Sequence, residues 1–196
     1  MSGLIIFIIG IVDTRIYSVE DIHDRYSETI LGSIPKLTQA EANILLERSD
    51  KRSMFAEANR SIRSAVIYQD SDHINPKIFL VTSSIPGEGK STIAANLAIA
   101  IAFSSNKVLL VDGDLRCGHL NERLGLTKKP GLSEAIQEKL VPEQFLQKTS
   151  IDNLDFISTG SYPSQPDELF LNPYLEELFL KFRKIYDYIL ISSPLK

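Results

Sequence analysis

The chain of 196 residues is long enough for one main domain with a sizeable core, and its 43% hydrophobic and 23% charged residues are an ordinary globular balance. Its formal net charge of −4 argues against a generally basic nucleic-acid surface, so we expect no nucleic-acid partner. The single cysteine, Cys117, excludes an internal disulfide and has no Cys or close His partners at zinc-site spacing, which suits a reducing cytoplasm.

Residues 3–12, GLIIFIIGIV, form a fully apolar run at the start of the chain. At about 1.5 Å per residue, a helix of this length would span roughly half of a bilayer core, so it cannot cross a membrane alone. It also lacks the basic leader and the small-residue cleavage site of a secretory signal. We interpret residues 1–12 as the remnant of a transmembrane helix, with a buried strand or helix as the alternative.

Residues 13–76 are predicted to form a juxtamembrane linker that contains one helix. The stretch ILGSIPKL, residues 30–37, is strand-like and is interrupted by Gly32 and Pro35. The helix is predicted over MFAEANRSIRSAVIY, residues 54–68, with an apolar stripe that faces the core and a charged row that faces away. The stripe consists of Phe55, Ala58, Ile62, Ala65 and Val66, and the charged row of Glu57, Arg60 and Arg63.

From residue 77 onward, short runs rich in Val, Ile and Leu alternate with helix-like segments. The predicted strands are KIFLVT, KVLLVDGD, NLDFIST and YDYILIS, and the predicted helices are KSTIAANLAIAIAF, GLSEAIQEKL and PYLEELFLKFRKI. In the last helix, Asn172 is a good N-cap and Pro173 a good first residue. The alternation predicts an α/β fold over residues 77–196, with a doubly wound, mostly parallel sheet whose ligands bind at the carboxyl ends of the strands.

The sequence SSIPGEGKST, residues 83–92, joins the first predicted strand to a helix. Small or absent side chains let backbone N–H groups surround phosphate oxygens, and the helix dipole favours the negative charge. Lys90 can reach the β- and γ-phosphates and Ser91 can offer its hydroxyl to Mg²⁺, as in G-x-x-x-x-G-K-[ST], although Ser84 replaces the first glycine of that motif. The alternative is a plain strand-to-helix turn. The predicted nucleotide-binding residues are Pro86, Gly87, Glu88, Gly89, Lys90, Ser91 and Thr92.

Two aspartates, Asp112 and Asp114, follow the next predicted strand, which should place them beside the phosphate loop. Carboxylate oxygen is the usual ligand of Mg²⁺ and a usual acceptor for the proton of an attacking hydroxyl. We therefore expect one aspartate to serve the metal and the other the nucleophile. The alternative is that both only cap or shape a turn.

Three stretches together resemble the bacterial tyrosine autokinases of capsule and exopolysaccharide export. SSIPGEGKST resembles their Walker A motif, VLLVDGDLR their Walker A′ motif, and EANRSIR their E-x-x-R-x-x-R oligomerisation signature. ILGSIPKL, GLSEAI and PSQPDELF are also similar, so the resemblance covers nearly the whole chain. The apolar run at residues 3–12 resembles the end of the second membrane helix of the associated chain-length regulator.

This resemblance implies a P-loop NTPase fold, ATP and Mg²⁺ as cofactors, and phosphoryl transfer to tyrosine at the cytoplasmic face of the bacterial inner membrane. It implies that Lys90 and Asp112 are catalytic, with Asp112 as the base. It also implies that the metal is held by Ser91, Asp112 and Asp114, and that the chain forms a homo-oligomer that works with the membrane region of a polysaccharide co-polymerase. The residues of the oligomer interface would be Glu57, Arg60 and Arg63.

The last predicted strand departs from the family's Walker B motif, because Ser192 occupies the position of its aspartate. A neutral hydroxyl cannot replace a carboxylate, so we expect Mg²⁺ affinity about ten- to a hundredfold lower, while ATP binding could survive. The family continues past the position of Lys196 into further strands and helices and a C-terminal tyrosine cluster. We therefore expect a truncated copy with an incomplete sheet, an exposed edge or apolar face, and impaired kinase activity.

Two other functions stay open on the sequence alone. A partitioning or site-selection ATPase of the deviant Walker class would carry an extra lysine where this chain has Ile85. An apolar side chain cannot reach across a dimer to a phosphate, which disfavours that class. A non-catalytic scaffold would bind nucleotide and assemble through the charged row of the helix at residues 54–68.

Overall fold

The structure is a computed structural model that describes residues 27–36, 45–46, 53–68 and 77–193. The chain divides into two units, Met1–Leu31 and Gly32–Lys196. In the first unit, the described residues 27–31 form neither helix nor strand. The apolar run at residues 3–12 lies outside the described residues, so the membrane remnant stays a prediction, as do the boundaries at residues 12 and 76.

The second unit is built on a five-stranded sheet with the strand order β1-β5-β2-β4-β3. The first four strands of that order pair in parallel, and β3 pairs antiparallel with β4. The predicted doubly wound, mostly parallel sheet is therefore confirmed. In chain order, the strands are β1 (Lys77–Val81), β2 (Val108–Asp112), β3 (Gln147–Lys148), β4 (Leu154–Ile157) and β5 (Tyr188–Ser192).

Six helices are described, and the four that the sequence predicts are confirmed to within a few residues. Asn172 caps the last of them, since its side chain accepts the N–H of Tyr174 at 3.0 Å. None of the described helices is both long enough and apolar enough to cross a membrane. They are α1 (Met54–Tyr68), α2 (Lys90–Ala102), α3 (Leu120–Leu124), α4 (Leu132–Glu138), α5 (Pro166–Phe170) and α6 (Pro173–Phe182), with a 3₁₀ turn at Pro142–Gln144.

Helices cover both faces of the sheet, as the buried residues of β2 show. Val108 and Leu110 pack into the cluster that includes α1 and α2, whereas Leu109 and Val111 pack into the cluster that includes α4 and α6. All four are at most 1% exposed. A strand buried on both faces reads as a continuous apolar run, which is why VLLV stands out in the sequence.

Strand β1 lies at one end of the strand order and leaves apolar side chains in solvent. Ile78 is 44% exposed and Leu80 is 64% exposed. An exposed edge strand with an uncovered apolar face is the feature expected of an incomplete sheet. The incomplete sheet itself stays a prediction.

Two local predictions in the linker need correction. Residues 30–36 of the strand-like stretch ILGSIPKL form no strand, and Pro35 has no N–H with which to join a ladder.

On α1, Phe55 and Val66 are buried as predicted, but Asn59 is buried too and donates to the carbonyl oxygen of Phe55 at 2.8 Å. Arg63 does not face away from the protein, because its guanidinium donates to the carbonyl oxygen of Ala100 in α2 at 3.4 Å.

Candidate functional site

The loop between β1 and α2 contains two glycines in a left-handed backbone conformation. Their φ angles are 83° at Gly87 and 88° at Gly89, and residues other than glycine rarely adopt such values. A Cβ atom added to either glycine would meet no atom within 4 Å. Backbone conformation rather than lack of space therefore requires glycine here, and the space in front of both residues is open to a ligand.

Lys90 begins α2 directly after this loop, and its side chain is only 7% exposed. Its Nζ lies 3.6 Å from Oδ2 of Asp114, whose side chain is 14% exposed. A buried ammonium group needs an anion beside it, and Asp114 supplies one. The structure thus brings together the lysine of the loop and an aspartate that follows β2.

Asp112 ends β2 and is 1% exposed. Its Oδ2 accepts the N–H of Leu120 at 2.9 Å, and its Oδ1 accepts the N–H of Asp114 at 3.4 Å. Burial raises the pKa of Asp112 to about 6, although the two hydrogen bonds act in the opposite direction. A carboxylate with a pKa near neutrality is well suited to accept a proton.

Gly118 lets the chain pass close to the Asp112 carboxylate. A Cβ atom at Gly118 would lie 2.7 Å from each carboxylate oxygen of Asp112 and would collide with the methyl group of Thr159. Sequence reasoning missed Gly118 and Thr159, because a close approach between distant segments leaves no local pattern. A side chain at residue 118 would therefore collide with the Asp112 carboxylate.

The second aspartate also shapes the turn after β2. Oδ1 of Asp114 accepts the N–H groups of Arg116 at 3.2 Å and of Cys117 at 3.0 Å. The turn-forming alternative is therefore correct for one oxygen of Asp114, while the other oxygen faces Lys90. One side chain serves both purposes.

Ser192, at the end of β5, lies opposite the hydroxyl of Ser91 in the first turn of α2. Its Oγ is 3.5 Å from Oγ of Ser91, and the residue is fully buried. In the sheet, Ser192 pairs with Val81 of β1 and Asp112 of β2, so three strand ends meet at this point. The side chain that faces Ser91 from β5 is therefore a neutral hydroxyl.

The residues suit a magnesium ion only in part. No group of three or more His, Cys, Asp and Glu side chains that could hold a metal occurs within the described ranges. Mg²⁺ usually takes one or two carboxylates and completes its octahedron with phosphate oxygens and water. Ser91, Asp112 and Asp114 are hard oxygen donors of the right kind, and their role as the metal's ligands stays a prediction.

A cavity of about 550 Å³ opens beside the loop, within the usual size range of small-molecule sites. It is lined by the linker between Gly32 and Lys36, by loop residues 87–89, and by Thr92 and Ile93 of α2. A second cavity of about 600 Å³ lies against the turn after β2. There, Arg116 pairs with Asp167 at 3.3 Å, and the Tyr162 hydroxyl donates to the carbonyl oxygen of Gly118 at 2.9 Å.

Glu134 fixes the loop that follows β4 to the start of α4. Its carboxylate accepts the N–H of Gly131 at 2.9 Å and both the N–H (2.9 Å) and the hydroxyl (2.6 Å) of Ser161. Partial burial would raise the pKa of Glu134, but the hydrogen bonds from Ser161 and Gly131 outweigh it and lower the pKa below 4.5. The ionised carboxylate therefore stabilises the folded chain.

Replacing Glu134 with Gln is expected to lower the free energy of unfolding at pH 7 by about 1 kcal/mol, because charge-assisted hydrogen bonds are lost. A depressed pKa contributes stability above the unfolded-state pKa and loses it as the pH falls through the folded-state pKa, so the two proteins should converge below pH 4.5. Urea denaturation between pH 3 and pH 8 measures this, with Glu138→Gln on the exposed side of α4 as the control. A difference that stays constant with pH would contradict the assignment.

The three predicted oligomerisation residues, Glu57, Arg60 and Arg63, make different contacts within the chain. Glu57 and Arg60 form an ion pair within α1 at 2.6 Å, while Arg63 contacts α2. The side chain of Glu57 is 71% exposed and that of Arg60 is 38% exposed, so both are accessible to another molecule. The interface itself stays a prediction.

Comparison with known proteins agrees with this geometry. Residues 77–195 match a family model described as an AAA domain. The chain is 38% identical over 157 residues to the putative tyrosine-protein kinase EpsB of Ralstonia solanacearum, which covers 80% of this chain and 21% of EpsB. It is 33% identical over 150 residues to the tyrosine-protein kinase YwqD of Bacillus subtilis (strain 168), which covers 76% of this chain and 63% of YwqD. The chain thus spans about a fifth of EpsB and less than two thirds of YwqD.

Solved structures give the same result. The crystal structure of the chimerical protein CapA2B2 superposes with a TM-score of 0.82 at 31% identity, over 91% of this chain and 76% of that one. The cell division ATPase MinD of Pyrococcus furiosus is more distant, with a TM-score of 0.53 over 62% of this chain and 51% of that one. The deviant Walker alternative is therefore the weaker one, and the resemblance to the tyrosine autokinases is confirmed. Residues 77–195, which match the family model, contain the P-loop and the doubly wound sheet, and the chain therefore belongs to the AAA-domain family.

Proposed function

We propose that this chain binds ATP with Mg²⁺ as the kinase domain of a tyrosine autokinase that controls capsule or exopolysaccharide chain length and export. The observation that carries the proposal is the buried Lys90 ammonium, held between the glycine loop and the Asp114 carboxylate. The names of the related kinases support the same chemistry.

In this proposal the loop binds the triphosphate through the backbone N–H groups of residues 87–92, because Pro86 has no N–H to donate. Lys90 binds the β- and γ-phosphates, and the Ser91 hydroxyl together with Asp112 and Asp114 would hold Mg²⁺, which neutralises charge on the transferred group. The cavity beside Thr92 and Lys36 has room for the nucleoside. An adenine nucleotide would then lie along the start of α2, where the helix dipole favours its charge.

Asp112 would act as the base. With a pKa of about 6 it is mostly ionised at pH 7, so it can accept the proton of a tyrosine hydroxyl that attacks the γ-phosphorus. Asp114 orients Lys90 through their ion pair.

Assembly and location belong to the same proposal. The chain would form a homo-oligomer through Glu57, Arg60 and Arg63, and would work with the membrane region of a polysaccharide co-polymerase at the cytoplasmic face of the inner membrane. The exposed ion pair of Glu57 and Arg60 is compatible with exchange for a partner across an interface, since such pairs cost little to break.

Ser192 favours a second candidate function, a scaffold that binds nucleotide without rapid transfer. The side chain opposite Ser91 is neutral, so the metal would lack one source of negative charge. The experiment is incubation of the purified protein with γ-labelled ATP, alone and with an intact tyrosine kinase such as YwqD. Label on tyrosine of this chain supports the kinase system, release of free phosphate supports an ATPase, and bound unhydrolysed nucleotide supports the scaffold.

Replacing Ser192 with Asp is expected to tighten Mg²⁺-dependent ATP binding about ten- to a hundredfold, because a carboxylate then faces Ser91 and orients the metal's water ligands. Calorimetric titration of ATP at increasing Mg²⁺ concentrations measures the effect. Ser192→Asn is the matched control, since Asn has the size of Asp without its charge. Equal Mg²⁺ dependence in the two variants would show that the missing carboxylate is unimportant.

A further inference from the structure

The phosphate loop contains an anion of its own. The Glu88 carboxylate turns back across the loop, where its Oε2 accepts the N–H groups of Ser84 at 2.9 Å and Ile85 at 3.2 Å. The Ser83 hydroxyl donates to the carbonyl oxygen of Ile85 at 3.2 Å. Three contacts therefore hold the first half of the loop, which precedes the two glycines.

The backbone around Glu88 makes this arrangement possible. Gly87 and Gly89 flank it with φ angles of 83° and 88°, which turn the chain tightly enough for a side chain to reach back only three and four residues. Sequence reasoning placed Glu88 among the residues that bind the nucleotide. In the structure, its side chain binds the loop instead, and only its backbone remains for a phosphate.

We propose that Glu88 is a positioning residue that holds the first half of the phosphate loop, so that the N–H groups of the second half are already arranged for phosphate. A carboxylate near a triphosphate would repel it, but two N–H donors engage and partly neutralise this one. A loop ordered before binding loses less conformational freedom when the ligand arrives. The effect on ATP rests on the proposed function, whereas the hold on the loop does not.

Two measurements on three variants test this. Amide hydrogen exchange of Ser84 and Ile85 is followed by NMR in the nucleotide-free protein, and Mg-ATP affinity is measured by calorimetry. Glu88→Gln keeps an oxygen acceptor and should keep both amides protected, with ATP affinity close to that of the original chain. Glu88→Ala removes the acceptor, so exchange at both amides should be about tenfold faster and ATP binding about fivefold weaker, the effect of losing about one net hydrogen bond. Glu138→Ala, on the exposed side of α4, is the matched control and should change neither.

Unchanged amide protection in Glu88→Ala would overturn the inference, and so would unchanged ATP affinity in a chain that binds ATP. A Glu88→Gln variant that behaves like Glu88→Ala would also overturn it, since charge rather than the acceptor would then matter. If the amides behave as expected but the original chain binds no ATP, the proposed function fails while the hold on the loop stands.

Discussion

Replacing Lys90 with Met is expected to weaken Mg-ATP binding at least about a hundredfold, because the only buried ammonium group described at the loop is lost. Methionine has a similar length and no charge, so the wall of the site keeps its shape while the phosphates lose a cation. The Asp114 carboxylate, 14% exposed, would also face the triphosphate without its partner. Repulsion between like charges in a partly buried site adds to the loss.

Calorimetry with Mg-ATP measures this effect, and urea denaturation checks that the variant is folded. Lys184→Met is the matched control, because Lys184 is an exposed lysine just after α6. It should bind Mg-ATP as the original chain does. If Lys90→Met binds Mg-ATP with unchanged affinity, the nucleotide does not bind in this loop.

Asp112 is expected to titrate near pH 6, well above the usual carboxyl pKa of 3.8, because it is almost completely buried. A pKa raised on folding means that the folded chain holds the proton more tightly than the unfolded chain. The corresponding stability is present below pH 3.8 and is lost as the pH rises through about 6. A shift of this size corresponds to about 3 kcal/mol in the free energy of unfolding.

The comparison of the original chain with Asp112→Asn tests this directly. The Asn side chain cannot titrate, yet it keeps an oxygen for the N–H of Leu120. Relative to this variant, the original chain should lose about 3 kcal/mol of stability between pH 3.8 and pH 7, and a carbon-13 NMR titration should give a carboxyl midpoint near 6. In a phosphoryl-transfer assay the variant should be about 10²- to 10⁴-fold slower, as expected when a general base is removed. A midpoint near 4 would remove the case for Asp112 as a base poised near neutrality.

Much of the fold could be predicted because burial leaves a clear pattern of apolar residues in the sequence. VLLV in β2 and ILI in β5 are continuous apolar segments, as buried strands of a doubly wound sheet must be, and α2 is rich in Ala, Ile and Leu after its first turn. The sequence did not predict β3, α3 and α5, because β3 has only two residues and each of the two helices has only five, which is little more than one helical turn. The stretch around Pro35 shows an error in the other direction. It was predicted to be strand-like, but it forms no strand, and its proline lacks the N–H that a strand ladder needs.

The candidate site could be predicted only as far as local motifs and the parallel sheet place its residues. The loop motif and the pair of aspartates are local patterns, and the structure brings Lys90 and Asp114 together as expected. The contact of Arg63 with α2, the close approach of Gly118 to Asp112 and the turned-back side chain of Glu88 depend on tertiary packing. The raised pKa of Asp112 depends on it as well, because desolvation is set by what covers the carboxyl group.

The central claim is that the loop ending at Lys90 binds the phosphates of ATP. The most direct measurement is calorimetric titration of the folded chain with Mg-ATP. We expect saturable heat with one nucleotide bound per chain, and we expect this heat to disappear in Lys90→Met. A folded sample that gives no heat with Mg-ATP would contradict it.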